Sequence, residues 1–302
     1  MITVNDKVPT MSKSDILVEQ PHQIQDAMMM KQNSEGVFIA GGTLIQLNWE
    51  AGQPLSPKLI NLESIRGLKD VELVECDGHA FLEIGTLTTI AECIDNLIII
   101  ENAPLLVEAC RKIAAPAVRN RATLGGNVAS GVGDSIPALL SLDAELTIRI
   151  QDKTKNVKLW EWLQFQKETP QTDFLIMKIK IPCQMKGEQS FFRKVGRREA
   201  FTPALVTISA QWKKISTDEL EYIRIAVGGG NDNPSRLIIV EKIIETNRCN
   251  EELLKSLYLE ILDEFISYSD PFISESYRRQ VAANLLIAEL MKIFAGREDE
   301  EL

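Results

Sequence analysis

Two glycine-centred turns carry the clearest chemical potential in this sequence. Ala40-Gly41-Gly42-Thr43 follows the apolar run Val37-Phe38-Ile39, and Thr123-Leu124-Gly125-Gly126-Asn127 lies in a stretch of special residues spanning 114–133. Glycine admits positive φ and lets another group approach the backbone closely. Successive N–H groups in such turns form a concavity that suits an anion. A diphosphate needs several donors, and two turns of this kind can supply them. The hydroxyls of Thr43 and Thr123 and the amide of Asn127 can add directed hydrogen bonds. Asp134, seven residues past Asn127, suits either of two roles: acceptor for sugar hydroxyls, or N-cap of the next helix. Lys194, just before Arg197-Arg198, reads either as part of a solvent-facing charge run or as a cation beside a redox ring. The turn Gly228-Gly229-Gly230, followed by Asn231, Asp232 and Asn233, reads as a loop.

The residues present exclude other chemistries. GxGxxG and a P-loop lysine are both missing, so neither a Rossmann nor a Walker site is indicated. No GxSxG elbow occurs, and the two histidines, His22 and His79, lack metal-ligand spacing, so neither catalytic residues nor metal ligands are expected in the chain. The five cysteines contain no CxxC pair, which argues against a local iron–sulfur or zinc site and fits reduced thiols in a cytoplasmic protein. A net charge of −10 argues against nucleic acid as partner. The acidic run Glu298-Asp299-Glu300-Glu301 reads as a solvated terminus. Residues 97–110, the most apolar stretch, are broken by Glu101, Asn102 and Glu108, so no membrane span is expected.

The elements that must position these groups are of mixed α and β type. Strands are expected at 37–40 and 59–61, and a hairpin over 71–76 and 80–85 around Asp77-Gly78. Thr88 is placed to cap a helix bearing Ile90 and Ile94. Pro104 opens another with Leu106, Cys110 and Ile113 on one face, and Asp134 or Ser135 caps a third. Strands return at 146–150 and 174–181. After the turn-like segment 182–189, strands at 190–195, 205–212 and 220–227 precede helices over roughly 251–265 and 274–294. Strands followed by helices argue α+β rather than alternating βαβ.

Several segments together resemble a known family. AGGT at 40–43, AAPAVRNRATLGGN at 114–127, DSIPALLSLDA at 134–144, RKVGRREA at 193–200, AVGGG at 226–230 and SYRRQVAANLL at 276–286 look like the FAD-binding medium subunit of molybdenum hydroxylases, the xanthine and carbon monoxide dehydrogenase flavoprotein family. The matches run in order through nearly the whole chain. Residues 1–13 read as a loose leader, and the resemblance implies an FAD-binding domain of vanillyl-alcohol-oxidase type over 14–185 and a smaller α+β domain over 186–302 with a three-stranded antiparallel sheet and helices. It implies non-covalent FAD held by Phe38, Ile39, Ala40, Gly41, Gly42, Thr43, Leu44 and Ile45, and by Thr123, Leu124, Gly125, Gly126 and Asn127. Ile113 and Ile176 match positions that pack on the cofactor, Asp134 the family aspartate and Lys194 the family lysine. Molybdopterin and 2Fe–2S clusters are expected only in a large and a small partner subunit. Electrons would pass from those clusters through FAD to NAD⁺ or another acceptor, in a purine-oxidising, xanthine dehydrogenase-like complex. The sequence departs from the family pattern in a loop before Asp134 that is two residues short, in Ala117 where glutamine is common, and at Thr202-Pro203. An alternative reading is a self-contained flavin oxidase of the same fold.

Overall fold

Alternating apolar residues on either side of Asp77-Gly78 fold into the expected hairpin, Val71–Cys76 against His79–Gly85. Both turn residues take positive φ, 51° and 76°, as a two-residue hairpin turn demands. The computed structural model describes residues 16–170, 172–196, 204–229 and 232–295. The expected leader 1–13, the acidic run 298–301, Arg197-Arg198 and Thr202-Pro203 lie outside the described residues. The chain forms two compact units, Met1–Arg66 and Gly67–Leu302.

In the first unit, three parallel strands stand in the order Leu17–Glu19, Lys58–Asn61, Val37–Ile39. Ile60 on the middle strand is fully buried, with Ala27 and Met28 of the helix Ile24–Gln32 also in the interior. Parallel neighbours need a crossover connection, and that helix supplies the one between the outer strands.

The second unit holds two antiparallel sheets. Five strands run in the order Val71–Cys76, His79–Gly85, Phe174–Pro182, Glu145–Ile150, Lys153–Lys158. The other sheet places Asp232–Arg236, Leu220–Gly229, Ala204–Lys214 and Glu188–Gly196 side by side. Its last three members are the strands expected from the sequence, and Asp232–Arg236 adds a fourth. Gly228 and Gly229, read as loop, end the strand Leu220–Gly229. Helices Ile238–Thr246, Glu251–Glu264 and Glu275–Ala295 complete this part.

The strand Ala204–Lys214 is buried along its first nine residues. Alternate side chains point to opposite faces of a strand. Val206, Ile208, Ala210 and Trp212 join the core built with the C-terminal helices. The intervening row Thr207, Ser209 and Gln211 is buried and polar. Ser209 Oγ lies 2.7 Å from Ser141 Oγ at the end of the helix Ile136–Ser141, whose six residues are all buried.

One helix starts a residue later than expected. Thr89, not Thr88, caps Ile90–Asp95: its hydroxyl accepts from Glu92 N–H at 3.1 Å and its own N–H donates to Glu92 Oε2 at 2.9 Å. Thr88 Oγ1 turns instead toward the Lys69 carbonyl. Burial pushes the Glu92 carboxyl up, but Lys69 and the Thr89 donors outweigh burial and hold it below the ordinary carboxylate value. Removing one half of a capping box costs about 1 kcal/mol. Thr89→Ala is expected to lower the unfolding free energy by that much in denaturant titration, seen as a lower midpoint with an unchanged slope.

Candidate cofactor site

Gly42 has φ +72° and stands at the N-cap of the helix Thr43–Glu50 with no side-chain cap. The first helical N–H with an internal partner is that of Gln46, donated to the Gly42 carbonyl at 2.9 Å. The amides of Thr43, Leu44 and Ile45 thus form the open end of a helix, where unpaired donors and the helix dipole both favour an anion. None of the eight residues of this helix is buried; Leu44 and Leu47 are exposed. Phe38 and Ile39 are half-buried on the strand that leads into the turn, with Ala40 and Gly41 following.

The second turn works differently from the expected nest of free amides. It opens the short helix Leu124–Ala129, and each of its amides is already engaged. Leu124 donates to the Thr88 carbonyl, Gly125 to Thr86, and Asn127 to Thr123, at 2.8, 2.9 and 3.0 Å. Gly126 N–H caps onto Thr123 Oγ1 at 3.1 Å. The physical reason is that the turn is stitched to the end of the strand His79–Gly85, and an isolated bridge joins Thr89 to Thr123. Gly125 is obligatory for that packing: a Cβ there would lie 1.6 Å from Thr86 Oγ1 and 2.7 Å from the Thr86 carbonyl oxygen. Gly126 is exposed, and a Cβ would meet only Thr123 Oγ1, at 3.0 Å. What the turn offers a ligand is the Thr123 hydroxyl proton, a bare Cα at Gly126 and the side-chain Nδ2 of Asn127. The Asn127 side-chain oxygen Oδ1 is taken by Ser135, whose N–H and hydroxyl donate to it at 3.1 and 2.6 Å.

Neither candidate caps the helix Ile136–Ser141. Ser135 occupies the N-cap position without a side-chain cap bond, because its hydroxyl is spent on Asn127. Asp134 pairs with Lys194 at 2.6 Å. The Lys194 side chain is only 11% exposed, so it is no solvent-facing charge. Its ammonium also donates to the Lys112 carbonyl at 3.0 Å, which leaves one of its three donors for another group.

Lys112 belongs to a turn that sequence reasoning missed as a site. The helix Pro104–Arg111 ends here, and Ala114 takes φ +42°. Arg119 Nη1 donates to the carbonyls of Arg111, Ile113 and Ala114 at 3.4, 3.0 and 2.8 Å. Four consecutive carbonyls, 111–114, thus accept from two cations, Arg119 and Lys194. The motif RNRA was visible, but only contact geometry shows what Arg119 holds. Ile113 and Ile176 are both buried, at 6% and 3% exposure, and belong to one apolar cluster.

Next to Lys194, Arg193 ties the site's helix to the C-terminal part: Nη1 reaches Glu108 at 3.4 Å and Nε reaches Glu289 at 3.0 Å. Burial pushes the Glu108 carboxyl above the ordinary carboxylate range, with Arg193 opposing. Among the described residues no group of three or more His, Cys, Asp or Glu side chains is placed to hold a metal, and no helix is long and apolar enough to cross a membrane.

The architecture is α+β, and comparison with known proteins specifies the class of protein. Residues 12–184 match the family described as FAD binding domain in molybdopterin dehydrogenase, and residues 190–293 match the CO dehydrogenase flavoprotein C-terminal domain. The medium chain of glyceraldehyde dehydrogenase from Sulfolobus acidocaldarius is 28% identical over 70% of this chain and 75% of its own. The FAD-binding subunit of xanthine dehydrogenase from Escherichia coli O157:H7 is 24% identical over 89% of this chain and 93% of its own. A solved structure of carbon monoxide dehydrogenase from Hydrogenophaga pseudoflava superposes with a TM-score of 0.81 at 19% identity, over 93% of this chain and 97% of that one. The chain belongs to the FAD-binding family of molybdopterin dehydrogenases, and its cofactor is FAD.

Proposed function

We propose that this chain is the electron-transfer subunit of a molybdenum hydroxylase of xanthine dehydrogenase type, cytoplasmic, taking electrons from 2Fe–2S clusters in a small partner and passing them to NAD⁺. The molybdopterin would lie in a large partner subunit. The observation that carries the reading is the open helix end at residues 42–45: three amides without side-chain competition fit the phosphate oxygens of a dinucleotide. Each turn contacts FAD with its own groups, the first through those amides and Phe38, Ile39, Ala40, Gly41 and Gly42, the second through Thr123, Asn127 and the bare face of Gly126. Leu124 and Gly125 act by fixing the turn. Asp134 and Lys194 act as a pair, with the remaining Lys194 donor directed at the pyrimidine edge of the ring and Ile113 and Ile176 bordering it. The domain boundary lies at 185/186, between the two parts that these groups serve.

Bound FAD collects electrons and releases them as a pair; the residues of the chain hold it, tune it and limit access. Other relatives' names mention carbon monoxide and nicotinate, so one experiment distinguishes these substrates and the two acceptors. The assembled complex, mixed anaerobically with xanthine, is expected to lose its oxidised-flavin absorbance and to regain it on addition of NAD⁺. Bleaching only by an aldehyde, nicotinate or carbon monoxide would remove the purine assignment, and recovery only with oxygen would remove NAD⁺. Bleaching of the isolated chain by substrate, without partners, would mean that it is a self-contained oxidase.

A further inference from the structure

We infer that Arg119 is a positioning residue for the Lys194 ammonium, acting through the turn 111–114. Three observations converge. A helix end leaves its last carbonyls without internal partners, and here the carbonyl of Arg111 and those of the three residues that follow the helix all accept from cations. Arg119 holds the carbonyls that flank Lys112 on both sides, and Lys194 takes the one between them. Ala114 is held at φ +42°, a conformation that costs an L residue about 1–2 kcal/mol and persists only where the surroundings impose it. Arg119 supplies the imposing contacts: its shortest bond, 2.8 Å, goes to the Ala114 carbonyl itself.

The consequence follows from the geometry of Lys194. Its ammonium is fixed at two points, Asp134 Oδ2 and the Lys112 carbonyl. A flexible four-carbon stem does not fix the head by itself. When Arg119 no longer holds the turn, Ala114 relaxes toward negative φ, the Lys112 carbonyl rotates, and the ammonium follows Asp134 alone. Arg119 then governs how well the remaining Lys194 donor meets its target, although it need not touch the cofactor. This inference rests on the placement of Lys194 at the flavin pyrimidine proposed above.

The test measures the two-electron reduction potential of bound FAD in the assembled complex, for the wild type, Lys194→Met, Arg119→Gln, Arg119→Lys and the Lys194→Met/Arg119→Gln pair. A cation beside the ring favours its reduced, negatively charged form, so Lys194→Met is expected to lower the potential. Arg119→Gln is expected to lower it in the same direction, by roughly a tenfold loss of preference for reduced over oxidised FAD, which is about 30 mV for two electrons. Arg119→Lys, which keeps one cationic donor but not the fork, is expected to fall between, and the double variant to match Lys194→Met. A wild-type potential in Arg119→Gln, with a shifted Lys194→Met, overturns the positioning role and leaves the flavin placement standing. Additive shifts overturn it too, since Arg119 would then act by its own charge. An unshifted Lys194→Met sinks the flavin placement and this inference with it. Should Arg119→Gln fail to fold, Arg119→Lys decides: an unchanged potential there counts against Arg119.

Discussion

Substituting valine for Gly42 is expected to give a folded chain that comes through purification with little or no FAD. Gly42 has φ +72°, and a Cβ would meet Ile39 Cδ1 at 3.3 Å. The space can be made; the backbone conformation cannot be kept, because β-branched residues are rare at positive φ. Relaxation of this peptide swings the amides of Thr43, Leu44 and Ile45 off their common focus. Each hydrogen bond to a charged group contributes about 1.5–3 kcal/mol, so losing two weakens FAD binding by roughly 100-fold or more. FAD titration by fluorescence quenching measures this directly, with circular dichroism as the control for folding. Full occupancy at unchanged affinity in a folded variant would show that the helix end does not bind the diphosphate.

Gly125→Ala is expected to act on folding rather than on cofactor affinity. The 1.6 Å approach to Thr86 Oγ1 cannot be relieved by a rotamer change alone, since the Thr86 carbonyl oxygen stands at 2.7 Å from the same point. Opening that contact breaks the hydrogen bond from Gly125 N–H to Thr86 and disturbs the neighbouring one from Leu124 to Thr88. Overpacking with loss of buried hydrogen bonds costs about 3–5 kcal/mol, a large part of a domain's stability. The adjacent Gly126→Ala is expected to stay within about 1 kcal/mol of the wild type, since its Cβ meets a single side-chain oxygen. Thermal unfolding of the two variants side by side provides the check, and equal midpoints would refute this division of roles.

The contrast between these two glycines marks the limit of sequence reading. TLGGN is legible as a special turn, but which glycine packs and which lies open depends on Thr86 and Thr88, distant in sequence. The same holds for Lys194, whose partner Asp134 lies 60 residues away. Local signals were reliable where they were strong. The Asp77-Gly78 hairpin, the proline that opens Pro104–Arg111 and the two C-terminal helices follow from patterning alone. Other elements were invisible for physical reasons. Lys153–Lys158 reads KTKNVK, with four residues exposed in succession and no apolar alternation to betray a strand. The helix Thr43–Glu50 follows a glycine instead of a capping side chain and buries none of its residues, so neither a start signal nor an apolar stripe announces it. The helix Leu159–Glu168 begins after a lysine, again without one of the preferred capping residues.

The buried row Thr207, Ser209 and Gln211 has a bearing on where Lys194 sits. Thr207 is the cross-strand partner of Lys194, so the alignment of these two strands sets where the ammonium starts. A slip of one residue would carry Val206, Ile208 and Ala210 onto the serine of the neighbouring helix and push hydroxyls and an amide into the oily C-terminal interior. That exchange is prohibitive, so the separation of hydroxyl from hydrocarbon along one strand works as a vernier that holds the Lys194 backbone at one position.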